Sequence, residues 1–377
     1  MGRKPVKIGA PGGLVPPFDA VVKTAQRNEE QGFDSLWFPD HFMAWHPESI
    51  WTPDLTPIAK FQSNPHIFYD TIGTMAVVGS QTQNITLGTS VTEPIRRHPA
   101  LLAQEFLTLD HITKGRVVLG IGAGEGENII PYGLDFSQPA SRLEEALRII
   151  RLLWENNGPV DYDGKYWKLK DAVMALSPYQ PGKYPPIWVA AHGPRMLRMT
   201  GELADGWLPT KMEPDEYGEK LQIVRNAAKA VDRDPDAITP AMWTYLVIDE
   251  DPQACEALLD TLLIKALCLC LPAAAFERHG CKHPLGDNFY GLTDYIPTRY
   301  GREEALAAIN KIPHEVVKEG IMHGTPDDLA QQIDALAEKG LEHIVLWNIT
   351  FTGDMSKMRS SYQLMSDLVK RVHGANQ

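Results

Sequence analysis

Two short stretches of this chain put reactive side chains where a strand should end. In LWFPDHFMAW, residues 36–45, an apolar run stops at Asp40-His41, and Trp45 follows four residues after the histidine. In VVLGIGAGEGEN, residues 117–128, a second apolar run closes on small residues and then presents Glu125 and Asn128. A third run, NITLGTSV, ends at Ser90-Val91, with Glu93 just beyond. A histidine of near-neutral pKa passes a proton to or from a hydroxyl. A glutamate whose burial raises its pKa handles a second proton. Interconverting an alcohol and a ketone needs such a pair together with a bound hydride carrier. Taken singly, each residue has a plainer role: His41 as a loop or capping residue, Asp40 as a helix cap or the group that fixes the histidine tautomer, Trp45 as core. The glycines also suit tight turns, yet with Ala123 they leave backbone against which a flat ligand can lie. Coincidence at several strand ends points to a redox site and does not name the carrier.

That coincidence depends on the elements behind it. Apolar runs at 6–10, 34–40, 84–91, 115–124, 185–193, 205–210, 241–248 and 343–349 read as eight strands. Most are separated by stretches of helical periodicity, such as 18–32, 67–82, PALLAQEFLTLDHIT and 142–156. Crossover connections imply parallel pairing, and nearly continuous apolar strands imply a sheet covered on both faces. A doubly wound sheet and a barrel both fit. Eight units over 377 residues favour an α/β fold of the (β/α)8 TIM-barrel type, one domain spanning 1–377. GAPGGLVPP, after the first strand, lacks the GxGxxG that a Rossmann unit needs. In a barrel the second, third and fourth strands are neighbours, and chemistry lies at the strand C-termini. The stretches 42–66 and 272–312 are too long and too rich in Pro, Gly and aromatics for plain connections. They are expected to be loop insertions that wall the pocket, with Trp51, Phe276, Phe289, Tyr290 and Tyr295 supplying apolar surface.

Bulk properties exclude several classes. A net charge of −12 with no lysine/arginine block argues against a nucleic-acid partner. No window holds 18 uninterrupted apolar residues, so no membrane-spanning segment is expected. The start, MGRKPVKIGAPGG, lacks a signal-peptide core, and Val6 stands where a myristoylation pattern wants serine or threonine. A cytoplasmic protein is expected. The cysteines, Cys255, Cys268, Cys270 and Cys281, form no CxxC pair and read as buried thiols in a reducing compartment; LLIKALCLCLPAAAF around two of them reads as helix. RHGCKHP, with His279, Cys281 and His283, lacks a nameable fourth ligand, so no metal is expected.

DHFMAW, LGTSVTEP, RVVLGIGAGEGEN, PPIWVAAHGPRML and ADGWLPT together resemble the luciferase-like flavin and deazaflavin oxidoreductases, and most of all the branch that uses coenzyme F420. The resemblance runs in order through most of the chain and implies a (β/α)8 barrel with insertions, a homodimer and F420 as cofactor, with FMN the alternative. It implies catalytic roles for His41, Trp45 and Glu125, and deazaflavin contacts at Asp40, Ala123, Gly124 and Asn128. The deazaflavin ring would lie over Ser90-Val91, where relatives hold a non-proline cis peptide. The loop carrying Ala191, His192, Gly193, Arg195 and Met196 matches the one that takes the cofactor phosphate, which suits a helix N-terminus. Glu93 departs from the threonine that touches the cofactor in the sugar-phosphate dehydrogenases of this branch. Those enzymes also carry an arginine where this chain has Glu319, which would repel a phosphate; Thr210 is retained, with Lys211 beside it as a further substrate contact. ERHGCKHPLGDNFYGLTDYIP is similar instead to the phthiodiolone ketoreductase type. The resemblance therefore implies hydride exchange with a secondary alcohol or ketone. A sugar-6-phosphate dehydrogenase and an FMN-dependent monooxygenase on the same barrel are the competing readings.

Overall fold

A computed structural model describes residues 5–374, so the Met1-Gly2 start lies outside the described residues. Within them the strands are β1 (Lys7–Pro11), β2 (Ser35–Phe38), β3 (Thr86–Thr89), β4 (Val117–Ile121), β5 (Val160–Asp163), β6 (Lys168–Ala172), β7 (Ile187–Val189), β8 (Gly206–Trp207), β9 (Thr239–Ile248), β10 (Ile321–Gly324) and β11 (His343–Asn348). Eight of them pair in the parallel order β1-β2-β3-β4-β7-β8-β9-β11, and β11 returns to β1, closing a TIM barrel. These are the eight apolar runs of the sequence, most of them trimmed at their ends, with β1 reaching Pro11 and β9 starting earlier, at Thr239. β2 and β4 are buried at every residue, as strands covered on both faces must be.

The barrel interior is plugged by indoles. Trp37, Val118, Trp188, Leu208, Ala241 and Val345 pack together inside it, with the Trp37 and Trp188 rings 5.0 Å apart. A Cβ on Gly88 would sit 2.5 Å from Trp37 and one on Gly206 2.4 Å from Trp188, so both strands need glycine there. Trp37 donates its indole N–H to Ser35 Oγ at 2.8 Å, and Ser35 bonds His343 Nε2 at the same distance. Burial drives the His343 pKa down to about 3, so the plug carries no charge. With the interior filled, the free space is left at the strand C-termini.

Outside the barrel, helices bury one face against it. Pro139–Glu155 places Leu143, Ala146, Leu147, Ile150, Leu153 and Trp154 inward at three- and four-residue spacing. Thr71–Gln81 starts where Asp70 accepts the Gly73 N–H at 2.7 Å, and Pro326–Glu338 starts on a Thr325/Asp328 capping box.

Several features depart from the sequence expectation. β5 and β6 form a small antiparallel hairpin, exposed at alternate positions and held by Glu145, which accepts the N–H groups of Lys165 and Tyr166. β10 pairs with residues 245–248 of β9, above the point where β8 pairs with residues 239–240. The 272–312 stretch is no loop: it holds the helices Ala273–Glu277 and Arg302–Asn310 and is followed at once by His314–Gly320. Upstream, the expected single helix is broken into Leu262–Ala266, a 3-10 turn at Leu267–Cys270 and the helix from Ala273, because Pro272 removes a donor. Trp51, Phe276, Phe289 and Tyr295 are buried in a second core with Ile50, Ile58 and Ile309 rather than facing a cavity. Tyr290, 73% exposed, faces water.

Candidate active site

A cavity of about 330 Å³, within the usual range for small-molecule sites, opens at the C-terminal ends of β2, β3, β4, β7 and β8. Its wall includes Asp40, His41, Trp45, Ser90, Val91, Glu93, Ala123, Gly124, Glu125, Asn128, His192, Gly193, Met196 and Thr210, all expected from the sequence. Gly122 and Ala190 join them from within the GIGAG and AAHGPRM stretches, and Thr92, Arg96, Leu208, Trp243 and Leu292 are not singled out by the sequence. Three expected residues stand off the wall. Ala191 is buried and accepts the Trp207 indole N–H at 2.9 Å. Arg195 is half exposed and pairs with Glu144 at 3.1 Å. Lys211 donates to the Glu319 carbonyl at 2.7 Å, while the Glu319 carboxylate is held by Arg278 and by His279 at 2.6 Å. Glu319 is therefore neutralised away from the cavity and repels nothing inside it.

The proton-handling groups form a compact triangle. His41 donates from Nδ1 to the Met43 carbonyl at 3.0 Å, since a carbonyl can only accept. That fixes the tautomer and leaves Nε2 as the base, 3.4 Å from Glu125 Oε2. Trp45 stands edge-on to His41, with ring centroids 5.5 Å apart. Its indole N–H donates to Glu127 Oε1 at 2.9 Å and to Glu125 Oε2 at 3.3 Å. Asn128 accepts the backbone N–H groups of Phe42 and Met43 at 2.7 and 3.1 Å, which ties the loop after β2 to the turn after β4. The 272–312 insertion braces this arrangement: Tyr295 donates to the Trp45 carbonyl at 2.8 Å, and Gly126 packs so closely that a Cβ would lie 2.4 Å from the Thr293 oxygen.

Asp40 anchors the other side. It is 5% exposed and accepts from Thr92 Oγ1 at 2.6 Å and from Arg97 Nε at 3.1 Å, with Arg96 at 3.4 Å. Burial alone would raise its pKa; the Arg96 and Arg97 charges and the hydrogen bonds outweigh it, and the carboxyl stays ionised below its ordinary range. Arg96 is shared with Glu93, whose carboxylate takes the Arg96 Nε–H at 2.6 Å. Glu93 thus reaches the wall with its charge already paired.

The remaining wall is backbone and small side chains. The Ser90–Val91 bond is cis, as the sequence implied. Ser90 Oγ is buried with no hydrogen-bond partner. Gly122 and Gly124 (φ +98°) carry the turn after β4. Opposite, the helix Pro194–Leu203 begins at Gly193 with no side-chain cap, and a Cβ on Gly193 would meet nothing within 4 Å. Its first N–H groups are free for an anion.

A family profile described as luciferase-like monooxygenase matches residues 2–343. The phthiodiolone/phenolphthiodiolone dimycocerosates ketoreductase of Mycobacterium bovis (strain BCG / Pasteur 1173P2) is 40% identical over 323 residues, 84% of either chain. The F420-dependent glucose-6-phosphate dehydrogenase of Mycolicibacterium smegmatis is 31% identical over 334 residues, 86% of either chain. Among solved structures, an F420-dependent secondary alcohol dehydrogenase in complex with an F420-acetone adduct superposes with a TM-score of 0.75, covering 98% of this chain and 99% of that one at 22% identity. At that identity the likeness shows the fold.

Proposed function

This chain belongs to the luciferase-like monooxygenase family, and on that premise we propose that it is a coenzyme F420-dependent oxidoreductase exchanging a hydride with a secondary alcohol or ketone. The observation that carries the reading is His41, its Nδ1 spent on Met43 and its Nε2 presented beside Glu125 and Trp45 at the cavity.

The wall fits the cofactor. Ser90 Oγ awaits a partner, Gly122, Ala123 and Gly124 leave a flat backbone face, and the uncapped helix at Gly193 suits a phosphate beside His192 and Met196. Asp40 and Asn128 hold the two loops that border this face, with Val91 and Glu93 completing its edge. Ala191 acts through the backbone of that phosphate loop, and Arg195, on its first turn, is held by Glu144 beside it. When bound, F420 supplies a hydride acceptor or donor at the deazaflavin C5. In the oxidising direction His41 Nε2 takes the hydroxyl proton; in the reducing direction the same atom returns it to the carbonyl oxygen. Glu125 supplies or accepts the second proton, and Trp45, fixed by two carboxyl groups, shields the reacting centre from water.

A neutral substrate is favoured over a sugar phosphate by the charge on the wall. Arg96 is the one cation there among the described residues, and it is spent on Glu93 and Asp40. Lys211 is turned to Glu319. Trp45, Val91, Met196, Leu208, Trp243 and Leu292 offer apolar contact, with Thr210 a polar one. A cytoplasmic homodimer belongs to the same reading, with sedimentation as the check on assembly.

The test is a titration and an assay. F420 quenching should report tighter binding than FMN shows; tighter FMN binding would move the chain to flavin chemistry. Followed by F420 absorbance, secondary alcohols or ketones should react with higher kcat/KM than glucose 6-phosphate. Turnover of the sugar phosphate alone would overturn the substrate class.

A further inference from the structure

Glu127, two residues beyond Glu125, has no part in the proposed reaction, yet it is fully buried beneath the proton-handling triangle. Its Oε1 accepts from Trp45 Nε1 at 2.9 Å and from Asn128 Nδ2 at 3.2 Å; its Oε2, also buried, has no hydrogen-bond partner. One nitrogen of His41 and one oxygen each of Glu125 and Glu127 lie within 4.8 Å of one another. Two carboxylates this close, Glu127 fully buried and Glu125 only 21% exposed, cannot both ionise cheaply, so the pair holds a proton. A proton on Glu127 Oε2 turns an orphaned acceptor into a donor.

We propose that Glu127 and Glu125 share one proton, Glu127 being the positioning residue that keeps that proton within reach of Glu125. The proposal rests on the hydride-exchange reading and adds a source for its second proton. In alcohol oxidation the C–H bond breaks with its electron pair leaving as hydride, and the O–H proton passes to His41 Nε2. The carboxyl pair gives up one proton as the carrier is reduced, and becomes doubly ionised. His41, 3.4 Å from Glu125 Oε2, then returns its proton to the pair. One hydride and one proton leave the alcohol, and the protein ends as it began. Burial, and then the Glu125 charge, raise the Glu127 pKa well above its ordinary value, in agreement. Besides His41, the titratable groups facing the pair are Tyr245 from β9 and Cys270 and Tyr295 from the segment after it. Burial pushes all three well above their ordinary pKa, so they stay neutral and add no charge beside the pair.

Infrared spectra of the protein without cofactor test the shared proton directly. The wild type should show a protonated-carboxyl band at neutral pH that shifts in D2O, and Glu127→Gln should lack it. A wild type without that band overturns the proposal, whatever its catalytic behaviour. In alcohol oxidation, Glu127→Gln should move the alkaline limb of kcat/KM to lower pH by about one unit or more, costing about tenfold at neutral pH, with F420 affinity within about threefold. Gln keeps the acceptor for Trp45 and Asn128, so an unshifted profile reduces Glu127 to a structural acceptor and overturns the relay. If no alcohol or ketone is turned over, the reaction assignment fails while the infrared band still decides the proton.

Discussion

Asp40 and Glu127 are two acids in one barrel mouth, at 5% and 0% exposure, and their pKa values move in opposite directions. Burial pushes both toward neutrality. Asp40 escapes because two guanidinium groups and the Thr92 hydroxyl reach it. Glu127 has a second carboxyl, an indole and an amide for neighbours. The difference lies in the segment that each strand leads into. After β3 comes TEPIRRH, which turns Arg96 and Arg97 back over Asp40, whereas the turn after β4 packs acids among apolar groups. One side of the mouth is a fixed charge that organises loops; the other is a neutral reserve able to move a proton.

His41 follows Asp40 in the chain and lies 3.4 Å from Glu125, and its loss should have the largest effect. His41→Ala should lower turnover by about 10²–10⁴-fold, the range for a general acid or base, while F420 affinity changes far less. Near-normal turnover would leave the neutral side without a proton acceptor. Next is the clamp: Arg97→Met should cost about 3–5 kcal/mol in urea unfolding because it leaves Asp40 buried with one partner fewer. Adding Asp40→Asn should recover part of that loss; no recovery would mean that Arg97 acts through Asp70 and Glu105 instead. Thr92→Val, which removes the 2.6 Å bond to Asp40, should cost about 1.5–3 kcal/mol.

The smallest effect is the most discriminating, because the two acids bend stability in opposite directions with pH. Asp40, with its pKa lowered from 3.8, contributes stability that is complete above that value and lost as pH falls through the lowered one. Glu127, with its pKa raised from 4.5, binds its proton more tightly when folded, so stability declines as pH rises from 4.5 through the raised value. Glu127→Gln should flatten that decline and gain about 1 kcal/mol or more at alkaline pH. Thermal melts across pH that show no gain would place Glu127 on the ionised side with Asp40.

Much of this was legible in the sequence. All eight barrel strands stand out because strands buried on both faces are apolar throughout, and Asp40, His41, Glu125 and Asn128 stand out because polar groups break those runs. β5 and β6 escape a reading by apolarity because VDYD and KLKDA are exposed and charged. β10 escapes it because four residues carry no period of their own. Arg96 and Thr92 lie off the strand ends, and only the path of the chain after β3 brings them back. Trp243 lies within β9, where an inward and an outward tryptophan read alike. Leu292 arrives from the far insertion. The aromatics of that insertion read as pocket wall because composition gives apolarity and not direction. A serine or threonine in place of Glu127 would be as quiet in the sequence; its meaning comes from the depth at which the turn sets it.

The insertion is built into the fold rather than laid over it. Its core is continuous with Val247 of β9, Ile321 of β10 and Ile349 just past β11, and it is fastened to the 42–66 segment by Ser49 on the Tyr300 carbonyl at 2.8 Å and Arg302 on Thr52 at 3.0 Å. A flap is cheap to lift because it buries little; this segment would have to surrender a core to swing. Its amides around Ile309 should therefore exchange with deuterium as slowly as those of β9, in one cooperative unit with the barrel. Gly193 and Thr210 are exposed at the mouth, and residence times should follow contacts made there rather than the breathing of a lid.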